Sequence, residues 1–201
     1  MIRKQMLLVT AAALASISLP AFSQEEGSAS RSDVTVQAFG SFLKSTTNNG
    51  VEQSATNSGG VLGSYRFFFN NNNGVEVNYG YSLNTQNYSL PSNALGVQSY
   101  SHEISGAYLF RLPRKHWTPF VLAGTGGLLF DPKDMAGIGS QARAAFVYGG
   151  GADFSLSSHI FIRAEYRGLV FNSPTFGLPA LAGTARLTHL AEPSIGFGYR
   201  F

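Results

Sequence analysis

From Asp33 onward the sequence repeats one pattern: a large apolar residue, then a small or polar one, in runs broken by turn formers. The clearest run is Ser194 to Phe201, where Ile195, Phe197, Tyr199 and Phe201 alternate with Ser194, Gly196, Gly198 and Arg200. Successive side chains of a strand point to opposite faces, so a period of two with one apolar side predicts a β-strand with one greasy face. Eight such runs are read, over 34–43, 59–69, 75–84, 97–111, 118–130, 142–154, 159–171 and 187–201. The breaks alternate in length. Residues 70–74, 113–117 and 155–158 are short; 44–58, 85–96, 131–141 and 172–186 are longer and rich in Asn, Ser, Thr, Gly and Pro. Short and long connections in alternation predict antiparallel up-and-down strands, with tight turns at one rim and extended loops at the other.

One parity per strand places the apolar residues on one side. The sets include Val61, Tyr65, Phe67 and Phe69 in the second strand and Val75, Val77, Tyr79, Tyr81 and Leu83 in the third. In the fifth strand the set is Phe120, Leu122, Gly124, Gly126, Leu128 and Phe130, and in the sixth Ala144, Phe146, Tyr148 and Phe154. The opposite faces hold Arg66, Glu76, Glu103, Arg111, Arg143, Asp153, Arg163, Glu165, Arg167, Glu192 and Arg200. A soluble barrel would turn the apolar face inward and a membrane barrel outward. An eight-stranded interior is only just wide enough to be filled by side chains, too small for so many aromatics. The apolar face is therefore predicted to meet lipid. The fold class expected is all-β, an eight-stranded antiparallel up-and-down transmembrane β-barrel. Tyr108, Phe110, Phe154, Tyr199 and Phe201 near one rim, with Tyr81, Tyr100 and Phe130 toward the other, read as two aromatic girdles. Pro193 cannot donate within a paired strand, so a bulge is expected there, with the facing of Leu187 to Glu192 left open.

The start of the sequence is different in kind. Arg3 and Lys4 precede an apolar run from Met6 to Leu19, and Ala21-Phe22-Ser23 is a small-x-small cleavage pattern. Residues 1–23 are read as a signal peptide, 24–32 as a flexible polar tail and 33–201 as the barrel. Without Arg3 and Lys4, 12 basic and 11 acidic residues remain, so the charge points to no nucleic-acid partner. The chain has 0 cysteines, which excludes a disulfide framework and a thiolate metal site.

The signal peptide, the alternating strands, the Thr118-Pro-Phe-Val-Leu-Ala-Gly124 entry to the fifth strand and the aromatic Phe201 together resemble the small outer-membrane β-barrel proteins of the OmpA/OmpX type. The resemblance spans the mature chain. It implies a cell outer-membrane location in a Gram-negative envelope, without cofactors. It also implies that Ile195, Phe197, Tyr199 and Phe201 are read by the outer-membrane assembly machinery. Outer-membrane lipid and lipopolysaccharide are the other expected partners, and the barrel is expected to be monomeric.

Within the lumen, Arg163, Glu165 and Arg167 lie two apart on one face and, with Glu103 and Glu192, are read as an ion-pair network. Buried charges must be paired, so such a network fills a lumen as a plug. The role that follows is structural, with four surface loops free to contact partners. A small or gated pore is the alternative reading. A lipid A-modifying enzyme is a third. The deacylase type of such barrels carries His-x-Ser, and none of His102, His116, His159 or His189 is followed by that pattern. The glycine runs 123–127 and 149–151 lead into strands rather than helices and are no phosphate loops. Asp131, Lys133 and Asp134 would make only a weak cation site.

Overall fold

Among the described residues the period-two pattern folds into ten strands, all antiparallel to their neighbours. The computed structural model describes residues 31–48, 50–89, 94–133 and 138–201, so the expected signal peptide and most of the polar tail lie outside the described residues. The strands are β1 (Ser32–Leu43), β2 (Thr46–Asn48), β3 (Val51–Ala55), β4 (Ser58–Phe68), β5 (Asn73–Ser89), β6 (Ala94–Arg111), β7 (Trp117–Pro132), β8 (Gln141–Ser155), β9 (Ile160–Asn172) and β10 (Leu187–Arg200). Eight long strands pair in the order β5-β4-β1-β10-β9-β8-β7-β6, and β6 returns to β5. β1 meets β10 with Val34 opposite Tyr199 and Ala38 opposite Ile195. The ring is closed, as lipid requires, because hydrocarbon cannot satisfy the unpaired backbone of a sheet edge.

The short turns set register. Asn70 Oδ1 accepts from the backbone N–H of Asn72 at 2.9 Å and of Asn73 at 2.8 Å, an Asx turn that puts Arg66 directly opposite Glu76. Ser157 Oγ accepts from Ile160 N–H at 3.0 Å at the β8–β9 turn, which aligns Asp153 with Arg163. The other rim is more structured than its composition predicts. β5 and β6 run on as a paired ribbon to Ser89 and Ala94, through most of the segment read as loop 85–96. Residues 44–58 hold the β2–β3 hairpin, whose second strand pairs with the outer part of β5.

Facing follows the predicted parity in seven long strands. Val36, Val61, Val77, Ile104, Phe146 and Phe197 stand on the outer surface, and Thr35, Arg66, Glu76, Glu103 and Arg163 are buried in the lumen. β7 is the correction. Phe120, Leu122, Leu128 and Phe130 point into the lumen, while Val121 and Leu129 are exposed outside. Both faces of β7 are apolar, so periodicity could not choose between them. The lumen makes room for the rings on that side with small neighbours. A Cβ on the inward-facing Gly151 would stand 2.9 Å from Phe120 Cζ, and Ala107 is buried nearby on β6.

The bulge expected at Pro193 is absent. Residues pair one-to-one between β9 and β10 from Leu187–Asn172 through Pro193–Tyr166 to Tyr199–Ile160. The ring instead fits beside β1, where the ladder lapses between the Phe39–Ser194 and Phe42–Ala191 pairs without losing register. A missing donor costs one ladder bond; it need not add a residue. With register intact, Thr188, Leu190 and Glu192 face the lumen.

Candidate functional site

Two layers fill the lumen. The lower layer, toward the short turns, is ionic. Arg163 is 0% exposed and clamps Asp153 through Nε–Oδ1 at 2.7 Å and Nη2–Oδ2 at 3.0 Å, a bidentate pair from directly opposed strand positions. Its Nη2 also donates to Asp33 Oδ1 at 3.3 Å and its Nη1 to Thr35 Oγ1 at 3.3 Å. Arg66 pairs with Glu76, lies 3.6 Å from Asp153 and 3.9 Å from Glu165, and stacks its guanidinium 4.0 Å over the Phe120 ring. Gln37 Nε2 donates to Glu165 at 3.1 Å, and Asn78 Nδ2 to Glu76 at 2.8 Å. Arg200 approaches Asp153 at 3.6 Å from below. Above this group Arg167 holds both Glu103 and, at 2.9 Å, Glu192.

The five lumen residues read from sequence thus fall into two clusters. Arg167, Glu103 and Glu192 form one; Arg163 and Glu165 belong to the other, among partners the sequence reading had not grouped with them. Those partners were accessible to it. Arg66 and Glu76 stand five residues either side of Asn71, as Asp153 and Arg163 do of Ser158, and a tight hairpin pairs residues equidistant from its centre. Asp33 was missed because β1 begins at Ser32, two residues before its first large apolar residue, Val34.

The upper layer is apolar and closes the long-loop end. Leu128, Phe130, Val147, Leu169, Phe171 and Leu190 line the strands, and the segment after β9 lowers Phe176 and Leu181 onto them. Phe130 and Phe171 sit 5.9 Å apart, and Tyr88 meets Phe176 edge-on at 6.5 Å. Phe176 adopts φ 51°, a left-handed conformation that costs a bulky residue on the order of 1 kcal/mol or more, followed by Gly177 at φ 67°. Burial of the ring and two backbone bonds hold it there, with Thr175 and Phe176 N–H donating to Gln141 Oε1 at 2.8 and 2.9 Å. Tyr88 Oη donates to the Pro174 carbonyl at 2.8 Å, and Gln53 Nε2 to Thr184 Oγ1 at 3.2 Å. A segment read as featureless loop is therefore a lid, and its signal was the pair Phe176-Gly177.

On the outer surface, His102 Nδ1 bonds Tyr79 Oη at 2.8 Å, and His189 Nε2 bonds Tyr148 Oη at 2.8 Å. His102 and Glu103 lie on opposite faces of β6, so they form no dyad. Asp131 Oδ1 accepts from Ser140 Oγ at 3.1 Å, and Asp134 lies outside the described residues. Ile195, Phe197, Tyr199 and Phe201 share the outward face and are exposed. The described residues hold no group of three potential metal ligands.

Comparison with known proteins bears on this arrangement. A family model for the outer membrane protein β-barrel domain matches residues 9–201. Among solved structures, Neisserial surface protein A is 16% identical, with 85% of this chain and 97% of that one covered at a TM-score of 0.63. The outer membrane protein OprG of Pseudomonas aeruginosa is 14% identical, covering 89% and 99% at 0.61. Ail, the attachment invasion locus protein of Yersinia pestis, is 19% identical, covering 87% and 100% at 0.51. Identities this low speak for the fold alone. No curated protein matches the chain.

Proposed function

This chain belongs to the outer membrane protein β-barrel family and is an outer-membrane protein, and from that premise we propose that it is a closed, non-catalytic barrel that presents its long-loop end at the cell surface. The observation that carries the reading is the set of three barriers in series within one lumen. An ion would first have to part the lid around Phe176 and Leu181, then displace Arg167 from Glu103 and Glu192, and finally pass the Arg163–Asp153 clamp. Each arginine is fully enclosed by side chains. Breaking a buried pair costs about 3–5 kcal/mol, a large barrier to place in a conduction path.

The outward histidines support the non-catalytic part. Each bonds a tyrosine hydroxyl at the lipid surface, which fixes a ring at headgroup level rather than activating a nucleophile. The barrel acts as a monomer, with outer-leaflet lipid around it. Ile195, Phe197, Tyr199 and Phe201 serve as the recognition face for the assembly machinery, and their outward exposure supports that role.

Single-channel recording in planar bilayers tests closure. The expected trace has no unitary steps. Stable unitary currents that vanish in Arg167→Ala or Glu165→Ala would overturn the plug and favour the small pore.

A further inference from the structure

We infer that the barrel carries a binding site for the phosphate headgroup of an outer-leaflet lipid, built on its outer surface where β1 ends and β10 begins. A groove of about 450 Å³ lies there, lined by Lys44, Thr47, Val170, Arg186, Leu187 and His189. That volume lies in the range of small-ligand sites.

Strand register puts these residues together on the lipid side. Leu43 pairs with Leu190, and Lys44 N–H donates to the His189 carbonyl at 2.9 Å, so Lys44 and His189 are cross-strand neighbours. Lys44 shares its parity with the exposed Phe42, and His189 is opposite the outward Val170 on β9. Leu187 is 62% exposed and continues the apolar belt up to the groove. The rim is the one with long loops, which in outer-membrane barrels faces the cell exterior.

The charge at this place is unbalanced. None of the ion pairs among the described residues involves Lys44 or Arg186. Glu52, the acid opposite Thr47 in the hairpin, pairs with neither cation and does not line the groove. Arg186 is also held in place. Its backbone N–H donates to Ser173 Oγ at 3.1 Å, and its Nη1 donates to the Thr47 carbonyl at 2.7 Å, which leaves most of its five donors for a ligand. Tyr148 Oη fixes the His189 ring at the groove floor. Two cations, one of them held in place, above an apolar strip match a molecule with a phosphate above acyl chains: the phosphate meets Lys44 and Arg186, and the chains lie along Leu187, Val170 and Phe146. A soluble anion would have no use for the strip.

This deepens the lipid-contact part of the proposed function and is independent of lumen closure, which conductance alone reports. The test is native mass spectrometry of the full chain folded in detergent and offered bisphosphorylated lipid A, the same lipid with its phosphates removed, or inorganic phosphate as competitor. The phosphorylated lipid should be retained and the dephosphorylated one lost, with millimolar inorganic phosphate failing to displace it. Lys44→Ala with Arg186→Ala should reduce retention about tenfold or more, as expected for two cations near a charged headgroup. Arg114→Ala with Lys115→Ala, at the opposite rim, should leave it unchanged. Equal retention of the dephosphorylated lipid, measured on the unaltered chain, would show that acyl chains alone are bound and overturn the site. So would displacement by inorganic phosphate, or full retention by the folded Lys44→Ala/Arg186→Ala chain.

Discussion

Replacing Arg163 by alanine removes the cation on which the lower lumen converges. In the intact barrel that guanidinium satisfies Asp153 at 2.7 and 3.0 Å and Asp33 at 3.3 Å, with Glu76 a further 4.0 Å contact. Without it, the ion pairs left to Glu76, Asp153 and Glu165 are those with Arg66 and, for Asp153, Arg200, and Asp33 loses its ion pair with Arg163. An exposed pair would be worth about 0–1 kcal/mol, whereas removing one partner of an enclosed pair costs about 3–5 kcal/mol, since the remaining charge is stranded. The loss of a well-packed stem beside Phe161, whose ring lies 5.1 Å from the guanidinium carbon, acts in the same direction. We expect Arg163→Ala to lower the free energy of unfolding in lipid vesicles by about 3–5 kcal/mol. Urea titration followed by Trp117 reads this directly, since it is the chain's 1 tryptophan and sits exposed at the short-turn rim. Adding Asp153→Asn should restore part of the loss, because it removes a stranded charge. A change below about 1 kcal/mol, with no coupling between the two substitutions, would refute the claim that this network bears on stability.

Two other expectations are simpler to test. The facing of β7 can be read with nitroxide labels, since the chain has 0 native cysteines: a label at Ala123→Cys should collide freely with lipid-dissolved oxygen, and one at Leu122→Cys should not, with the opposite result reinstating the rejected parity. Deleting Phe201, which exchanges backbone bonds with Ser32 at 3.1 and 3.4 Å, should lower outer-membrane levels more than any single loop substitution; normal levels would remove Phe201 from the assembly signal.

Most of the architecture was legible because lipid enforces a clean alternation. Wherever one face carried charge, as with Arg66 and Glu76 or Arg163 and Glu165, parity fixed which side met the lumen. It failed on β7, which has no charged residue from Trp117 to Phe130 to break the tie between its two apolar faces. Register was less legible, although the short turns encode it, and so the ion pairs were grouped by sequence proximity instead of by distance from a turn. The lid was least legible. Phe176 and Leu181 are held by tertiary bonds to Gln141, Tyr88 and Gln53, and no local periodicity marks a residue whose partners lie on other strands.

Pro193 divides the seam of the cylinder in two. In β5 and β6 every position from Asn73–Phe110 to Ser89–Ala94 is matched, so that ribbon is stitched along its full length. The join between the first and last strands skips its stitches opposite Gly40 and Ser41, with seven pairs on the short-turn side of the gap and two on the long-loop side. A sheet that must be rolled and fastened edge to edge during assembly is thereby given a fastening that is incomplete toward its long-loop end. The two parts of that fastening are separated by a residue with no amide hydrogen to contribute, so the closing seam is made as two stretches where the β5–β6 ribbon is made as one.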